Sequence, residues 1–97
     1  MSEAPVTEAT SRPDLDASDR RNRPWIVILY NDDWHAFDEV IAQVQKATAC
    51  SYWEAFAITY EAHTRGRAIA FRGSYAECER VANVLREIRL QVETDAV

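Results

Sequence analysis

The sequence predicts an α+β fold in which three helices pack on one face of a small three-stranded sheet. Segments typical of strands and helices follow one another in the order β-α-α-β-α-β. The chain has 97 residues, which is too few to form two hydrophobic cores. Three strands in so short a chain do not share helices evenly between two faces, so we expect the helices on one face.

The first strand ends in a turn with more polar side chains than a turn requires. Residues 25–30 are apolar, and most are β-branched or aromatic, which predicts a buried strand. The chain continues directly with Asn31, Asp32, Asp33, Trp34 and His35. Asn and Asp favour turns because their short side chains bond local backbone groups, but one or two of them suffice. The surplus of carboxylates and the imidazole make this turn a candidate site.

Two helices follow the polar turn. The first is predicted over 37–48, where apolar residues recur at helical spacing and acidic residues occupy the first turn, near the positive end of the helix dipole. Ser51 and Glu54 form a capping-box pattern that begins a second helix extending to about Arg65. Gly66 ends this helix because glycine readily adopts the left-handed conformation. The apolar stripe predicted for the second helix consists of Trp53, Phe56, Ala57 and Tyr60.

The rest of the chain predicts a strand, a helix and a strand. Residues 67–72 alternate between polar and apolar, and Ser74 with Glu77 forms a second capping box. The apolar stripe of this third helix contains Cys78, Val81, Ala82, Leu85 and Ile88. Residues 90–94 alternate again and are predicted to form the last strand.

Residues 1–23 differ in composition from residues 24–97. They are rich in Glu, Asp, Ser, Thr, Pro and Arg and contain no aromatic residue. Such a segment buries too little apolar surface to offset its ordering entropy, so we expect a disordered arm before one core domain. No apolar run has the length of a signal peptide or a membrane span, which predicts a cytoplasmic protein with no membrane partner.

The charge and the cysteines limit the possible partners. The formal net charge is −5 and lies mostly outside the arm, whereas nucleic acid requires a basic surface. An acidic domain suits a cationic ligand better. Cys50 and Cys78 form no CxxC pair and are expected to be reduced, structural thiols. We expect a monomer.

Several kinds of catalytic site have weak support. Asp32, Asp33, His35 and His63 carry metal-ligating atoms, but no HxxxH, HExxH or CxxC spacing is present. Metal-assisted hydrolysis through these residues stays open as an alternative. Nothing in the sequence places a histidine beside Cys50, and with only 2 glycines the chain has no glycine-rich phosphate loop. By itself, His63 is explained by its place in the last helical turn, at the negative end of the dipole. We expect neither catalysis nor a cofactor.

Four segments together resemble one protein family. They are Ile28 to Trp34, the run ending Val44-Gln45-Lys46, the stretch Glu61-Ala62-His63-Thr64-Arg65-Gly66-Arg67-Ala68, and Arg80-Val81-Ala82. The third is close to the pattern hydrophobic-His-x-x-Gly-[Lys/Arg]-Ala. From Trp25 to about Thr94 the chain resembles the ClpS family, adaptors that hand N-degron substrates to the Clp AAA+ protease.

The resemblance implies a site for the α-amine of a substrate whose first residue is Leu, Phe, Tyr or Trp. In this chain Asn31 would supply a carbonyl, Asp33 a carboxylate and His63 a neutral ring nitrogen, while Asp32 would shape the turn and the local potential. Only an unblocked N-terminus offers three N–H donors, and each charge-assisted bond contributes about 1.5–3 kcal/mol. The site would therefore distinguish a free amine from an internal amide.

The resemblance also implies an apolar pocket for the first side chain, lined by Phe37, Val40, Thr59 and Ala62. The chain has His35-Ala36-Phe37 where ClpS proteins commonly have Thr-Pro-Met, Thr59 where methionine is frequent, and Ala62 where valine is. The bulky Phe37 at the rim and the small residues at the floor give the pocket a different shape from that usual in the family. His35 would add a second imidazole beside it.

A ClpA- or ClpC-type unfoldase is the partner that the resemblance implies, with Glu79 and Arg80 as candidate contacts. Between Phe71 and Arg80 the chain is one residue shorter than is usual in the family. A non-catalytic interaction domain of similar α+β shape, like the C-terminal domain of the ribosomal stalk protein, is the structural alternative and would have no amine site.

Overall fold

The computed structural model describes residues 20–97. Its strands are β1 (Trp25–Tyr30), β2 (Arg67–Gly73) and β3 (Val92–Ala96). Its helices are α1 (Phe37–Thr48), α2 (Tyr52–Arg65) and α3 (Tyr75–Arg86). The predicted α+β class and the order β-α-α-β-α-β are confirmed.

The strands form one antiparallel sheet with β1 in the centre, in the order β2-β1-β3. Side chains alternate along β1 as the strand pleat requires. Trp25, Val27 and Leu29 are buried in the core, whereas Ile26 and Ile28 on the opposite face are half-buried. This alternation fixes which face of the sheet carries the helices.

The core lies between that face and the three helices. Its largest fully buried side chains come from β1, α1 and α3, namely Leu29, Val27, Ile41, Val44, Val81, Leu85 and Cys78. Among residues 20–97, Gln43 is one of two buried polar residues, with Thr59, and its side-chain amide donates to the Val84 carbonyl at 2.6 Å. That bond links α1 to α3 and satisfies the buried amide of Gln43.

The predicted boundaries after the third helix were wrong by a few residues. Helix α3 ends at Arg86, before Ile88, and β3 runs from Val92 to Ala96 instead of 90–94. Arg89 adopts a left-handed conformation with φ 67°, and its N–H donates to the Arg86 carbonyl at 2.8 Å. The chain must complete this turn before it can pair with β1.

The stripe predicted for the second helix faces outward. Trp53, Ala57 and Tyr60 are exposed and Phe56 is half-buried, whereas the buried residues of α2 are Ala55, Thr59 and Ala62. Small residues let a helix approach its neighbours closely, so α2 packs mainly through these three. Phe56 packs against the edge of the core, and the rings of Trp53 and Tyr60 turn away from it.

Most of the predicted arm, residues 1–19, lies outside the described residues, and only 20–23 can be placed. The indole N–H of Trp25 donates to the Arg20 carbonyl at 2.6 Å, and the Arg20 guanidinium lies 5.6 Å from the Trp25 ring centroid. The Arg21 guanidinium lies 5.7 Å from the centroid of Tyr75. These residues therefore contact the core. Within 20–97, no helix has both the length and the apolar character needed to cross a membrane.

Candidate functional site

A cavity of about 40 Å³ lies beside the end of β1, between the start of α1 and the last turns of α2. Eight of the residues singled out in the sequence line it: Asn31, Asp32, His35, Phe37, Val40, Thr59, Ala62 and His63. Leu29, Tyr30 and Leu90 line it as well. Sequence reasoning missed these three because Leu29 and Tyr30, on β1, and Leu90, in the segment before β3, are far apart in the chain and their pattern reveals no common neighbour.

Two backbone hydrogen bonds hold the polar turn against its surroundings. The N–H of Tyr30 donates to the Gln91 carbonyl, and the N–H of Asn31 donates to the Gly66 carbonyl, both at 3.0 Å. Gly66 has φ 95°, a left-handed conformation that a glycine adopts without strain. The chain can thus leave α2 and enter β2 directly, which sets His63, in the last turn of α2, beside Asn31.

Asp32 closes the turn through its own carboxylate. Its Oδ1 accepts from the backbone N–H groups of Trp34 and His35, both at 3.0 Å, and its Oδ2 is 2.8 Å from His35 Nδ1. Burial would raise the pKa of Asp32, but the bonds from His35 and Trp34 outweigh it and lower that pKa below its ordinary value of 3.8. The carboxylate is therefore ionised and already surrounded by donors.

The imidazole of His35 bridges two parts of the chain. Opposite the Asp32 bond, its Nε2 is 2.6 Å from the Ile88 carbonyl oxygen. An ionised carboxylate and a carbonyl can only accept hydrogen bonds, so both ring nitrogens must carry a proton and the ring is an imidazolium. The bond to Asp32 raises the pKa of His35 above 6.5, and the Ile88 carbonyl raises it further, against the lowering effect of burial. His35 is thus an ion-pair partner inside the protein.

Asp33 lies apart from the cavity lining. Its side chain is exposed, as is that of the neighbouring Trp34, which is 89% exposed. The two consecutive carboxylates of the turn thus have different surroundings. Asp32 faces inward and is enclosed by donors, whereas Asp33 faces solvent.

The apolar wall of the cavity is built around Phe37. Its ring meets that of Phe56 edge-on at 5.5 Å and that of His63 edge-on at 6.0 Å. Thr59 is buried, and its hydroxyl donates to the Ala55 carbonyl at 2.8 Å, so this polar group is satisfied within α2. The volume of about 40 Å³ is room for about three water molecules, whereas a cavity of about 150 Å³ takes up benzene. The cavity must therefore widen to admit a large side chain.

Glu79 and Arg80, the candidate protease contacts, are on α3 and do not line the cavity. The Glu79 carboxylate accepts from the Thr94 hydroxyl at 3.1 Å, and the Arg80 guanidinium donates to the Ala47 carbonyl at 3.2 Å. The two side chains therefore tie α3 to β3 and to the end of α1.

The side chains with catalytic chemistry are dispersed or already bonded to other groups of the protein. Among residues 20–97, no three His, Cys, Asp or Glu side chains are grouped so as to hold a metal ion. Both nitrogens of His35 are occupied by protein acceptors. Cys50 and Cys78 are free thiols, and burial raises the pKa of Cys78, which keeps it protonated.

Comparison with known proteins gives a family match over most of the chain. Residues 20–93 match the family described as the ATP-dependent Clp protease adaptor protein ClpS. The chain is 33% identical over 67 residues to the E3 ubiquitin-protein ligase UBR1 of Homo sapiens and, equally, of Mus musculus. The match covers 69% of this chain but only 4% of each ligase.

A solved structure shares the fold. The structure of Agrobacterium tumefaciens ClpS2 bound to L-phenylalaninamide superposes with a TM-score of 0.72 at 18% sequence identity, covering 77% of this chain and 98% of that one. Together with the match over residues 20–93, this leads to one conclusion: the chain belongs to the ClpS family.

Proposed function

We propose that this protein binds the free N-terminal residue of N-degron substrates, with Phe, Tyr, Trp or Leu in first position, and delivers them to a Clp ATP-dependent protease. The observation that carries the proposal is the cavity in which the polar turn after β1, the last turn of α2 and the apolar side chains of α1 and α2 meet. It offers hydrogen-bond acceptors and an apolar wall side by side, as a terminal amine and its side chain require.

The α-amine is held by Asn31, Asp33 and His63. With a pKa of about 7.7–8.0 it is largely cationic at neutral pH and carries three N–H donors. Asn31 and His63 line the cavity, and Asp33, two residues after Asn31 on the same polar turn, is exposed. The Asp32 carboxylate is already surrounded by three donors, so the carboxylate offered to the ligand comes from Asp33.

The first side chain of the ligand enters between Phe37, Val40, Thr59 and Ala62. These side chains are largely apolar, and the one hydroxyl among them, that of Thr59, is bonded within α2. Burying an aromatic or leucine side chain there is therefore favourable. Entry displaces the Phe37 ring, which then covers the ligand. His35 holds the polar turn in place through its bonds to Asp32 and to the Ile88 carbonyl.

The family and its relatives support the same function. The family consists of adaptors of the Clp protease, the ClpS2 structure contains an amide of phenylalanine, and UBR1 is an E3 ubiquitin-protein ligase. The protein itself acts by binding, without catalysis, in the cytoplasm. A ClpA- or ClpC-type unfoldase receives the substrate, with Glu79 and Arg80 as contacts.

The decisive measurement compares two peptides that differ by one acetyl group. Fluorescence polarisation should show binding of a Phe-initiated peptide and at least about a hundredfold weaker binding of its N-acetylated form, because acetylation removes the charge and two of the three donors. Equal binding of both would favour an interaction domain without an amine site. Shortening of the peptide during incubation, abolished by a chelator, would favour metal-assisted hydrolysis.

A further inference from the structure

Four aromatic side chains form a continuous row along the outer face of α2. We call Tyr52, Trp53, Phe56 and Tyr60 the aromatic ladder. Phe56 lies in its middle, with the rings of Tyr60 and Tyr52 stacked on either side at 6.1 and 6.4 Å. Trp53 meets Tyr52 edge-on at 5.0 Å and Phe56 edge-on at 5.6 Å. Each ring is thus held by its neighbours.

The ladder is exposed although its side chains are large and apolar. Trp53 is 71% exposed and Tyr60 is 55% exposed. Phe56 is half-buried and packs against the core, whereas the other three rings lie outside it, because the buried residues of α2 are Ala55, Thr59 and Ala62. A contiguous exposed apolar surface of this kind is typical of a binding surface.

The ladder is continuous with the amine and side-chain site. Phe37, on the wall of the cavity, contacts Phe56 of the ladder on one side and His63 on the other. Tyr60 and His63 are three residues apart on α2, so they are neighbours on the helix surface. A chain whose first residue occupies the cavity therefore emerges beside the ladder.

The length of the ladder fits a short extended segment. With a helical rise of about 1.5 Å per residue, the backbone from Tyr52 to Tyr60 spans about 12 Å. An extended chain rises about 3.3 Å per residue, so this distance corresponds to about four residues.

We propose that the aromatic ladder binds the residues that follow the first residue of the substrate, and that it favours aromatic and apolar side chains at positions two to four. This rests on the proposed function, since it requires the first residue to occupy the cavity. Ring faces and edges on the ladder attract other aromatic rings beyond the effect of buried area. Glu54 and Glu61, the acidic residues of α2, repel acidic side chains at the same positions. The protein thereby reads a short sequence instead of a single residue.

The test uses the full-length protein and three ligands with the same first residue. One peptide has Trp and Leu at positions two to four, one has Gly and Ser there, and the third ligand is phenylalaninamide, which has no following residue. Wild type should bind the aromatic peptide about five- to tenfold more tightly than the Gly-Ser peptide. In Trp53→Ser/Tyr60→Ser that difference should fall below about twofold, with the affinity for phenylalaninamide unchanged.

A matched control removes exposed apolar surface elsewhere. Ile69 lies on β2, away from the ladder, and is 39% exposed; Ile69→Thr should keep the full preference. Circular dichroism and thermal unfolding should show that Trp53→Ser/Tyr60→Ser folds as wild type does, since these side chains lie outside the core.

Each other outcome overturns the proposal in a distinct way. If wild type binds neither phenylalaninamide nor either peptide, the proposed function itself fails. If it binds all three ligands but does not distinguish the two peptides, the ladder does not contact the substrate. Loss of self-association in sedimentation, or loss of unfoldase binding, without any change in peptide preference would assign the ladder to a second copy or to the unfoldase.

Discussion

The imidazole of His35 lies 2.8 Å from the carboxylate of Asp32, and these two residues lock the polar turn into one conformation. Only 13% of the His35 side chain and 16% of the Asp32 side chain are exposed. The other ring nitrogen of His35 holds the Ile88 carbonyl, so the ion pair also fixes the turn between α3 and β3. The acceptors of the amine site therefore start from a prearranged backbone.

This ion pair should make stability depend on pH in a specific direction. The folded pKa of His35 is raised, so its contribution is complete below the unfolded value of 6.5 and is lost as pH rises through the folded pKa. The folded pKa of Asp32 is lowered, so its contribution is present above the unfolded value of 3.8 and is lost as pH falls through the folded pKa. A double-mutant cycle with His35→Ala and Asp32→Asn, measured by chemical denaturation, should give a coupling of about 1.5–3 kcal/mol near pH 5.5 and a weaker one at alkaline pH, where the ring loses its charge. A coupling independent of pH would show that the ring is neutral.

Removing any acceptor of the α-amine should weaken binding strongly. Asn31→Ala, Asp33→Ala and His63→Ala each delete one charge-assisted bond of about 1.5–3 kcal/mol, so the Kd for a Leu- or Phe-initiated peptide should rise about tenfold or more. Thermal stability should change little because Asp33 and His63 are exposed and Asn31 is held by its backbone. Asp38→Ala, a carboxylate in the first turn of α1 away from the cavity lining, is the matched control. Wild-type affinity in all three variants would refute the amine site.

Peptide binding should itself have a bell-shaped pH profile. His63 accepts from the ligand through an unprotonated ring nitrogen, so protonation of that nitrogen removes the bond and gives the acid limb. The amine must be protonated, and its pKa of about 7.7–8.0 sets the alkaline limb. His35 bonds Asp32 and the Ile88 carbonyl, and these bonds hold the polar turn. When His35 loses its charge at higher pH, the turn that carries the acceptors is held less firmly, which adds to the alkaline limb. Titrations of wild type, His63→Gln and His35→Ala separate the contributions of the two histidines. The acid limb should disappear in His63→Gln alone. Its disappearance in His35→Ala alone would exchange the roles of the two histidines.

The side-chain pocket should prefer aromatic first residues to Leu and should reject Ile and Val. The ring of Phe37 can meet an incoming ring edge-on, as it meets Phe56, which contributes about 0.5–1.5 kcal/mol beyond buried area. A branch at the β-carbon of the ligand collides with this stiff rim. Phe37→Met should narrow the difference between Phe and Leu, because methionine adapts its shape. The comparison requires four peptides that differ only in the first residue, and tighter binding of Ile than of Phe would contradict it.

The arm should matter for delivery and not for binding. Residues 20–23 contact the core through Arg20 and Arg21, so the deletion that tests this removes residues 1–19. Peptide affinity should stay within about twofold, while degradation of an N-degron substrate by a Clp protease should fall markedly, since a polar arm can engage an unfoldase without forming part of the pocket. Lost peptide affinity, or unchanged degradation, would contradict the prediction.

The sequence by itself determined the class and the order of the elements. Two of the three helices begin at a capping box: Ser51–Glu54 and Ser74–Glu77 are both formed, with bonds of 2.9 and 3.1 Å in each. The alternation along β1 fixes its buried face in the same way. Such features depend on residues within a few positions of one another, so local pattern suffices to predict them.

Only the tertiary structure decided what the large side chains of α2 do. Helical spacing is the same for a buried and an exposed stripe. The residues that α2 buries are Ala55, Thr59 and Ala62, because small residues let the helix lie close to its neighbours. Likewise, the sequence placed His35 next to the amine site but could not reveal its charge. The bond to Asp32, three residues earlier in the chain, raises the pKa of His35 most. The second acceptor is the carbonyl of Ile88, 53 residues further along the chain, which the fold alone brings within hydrogen-bonding distance.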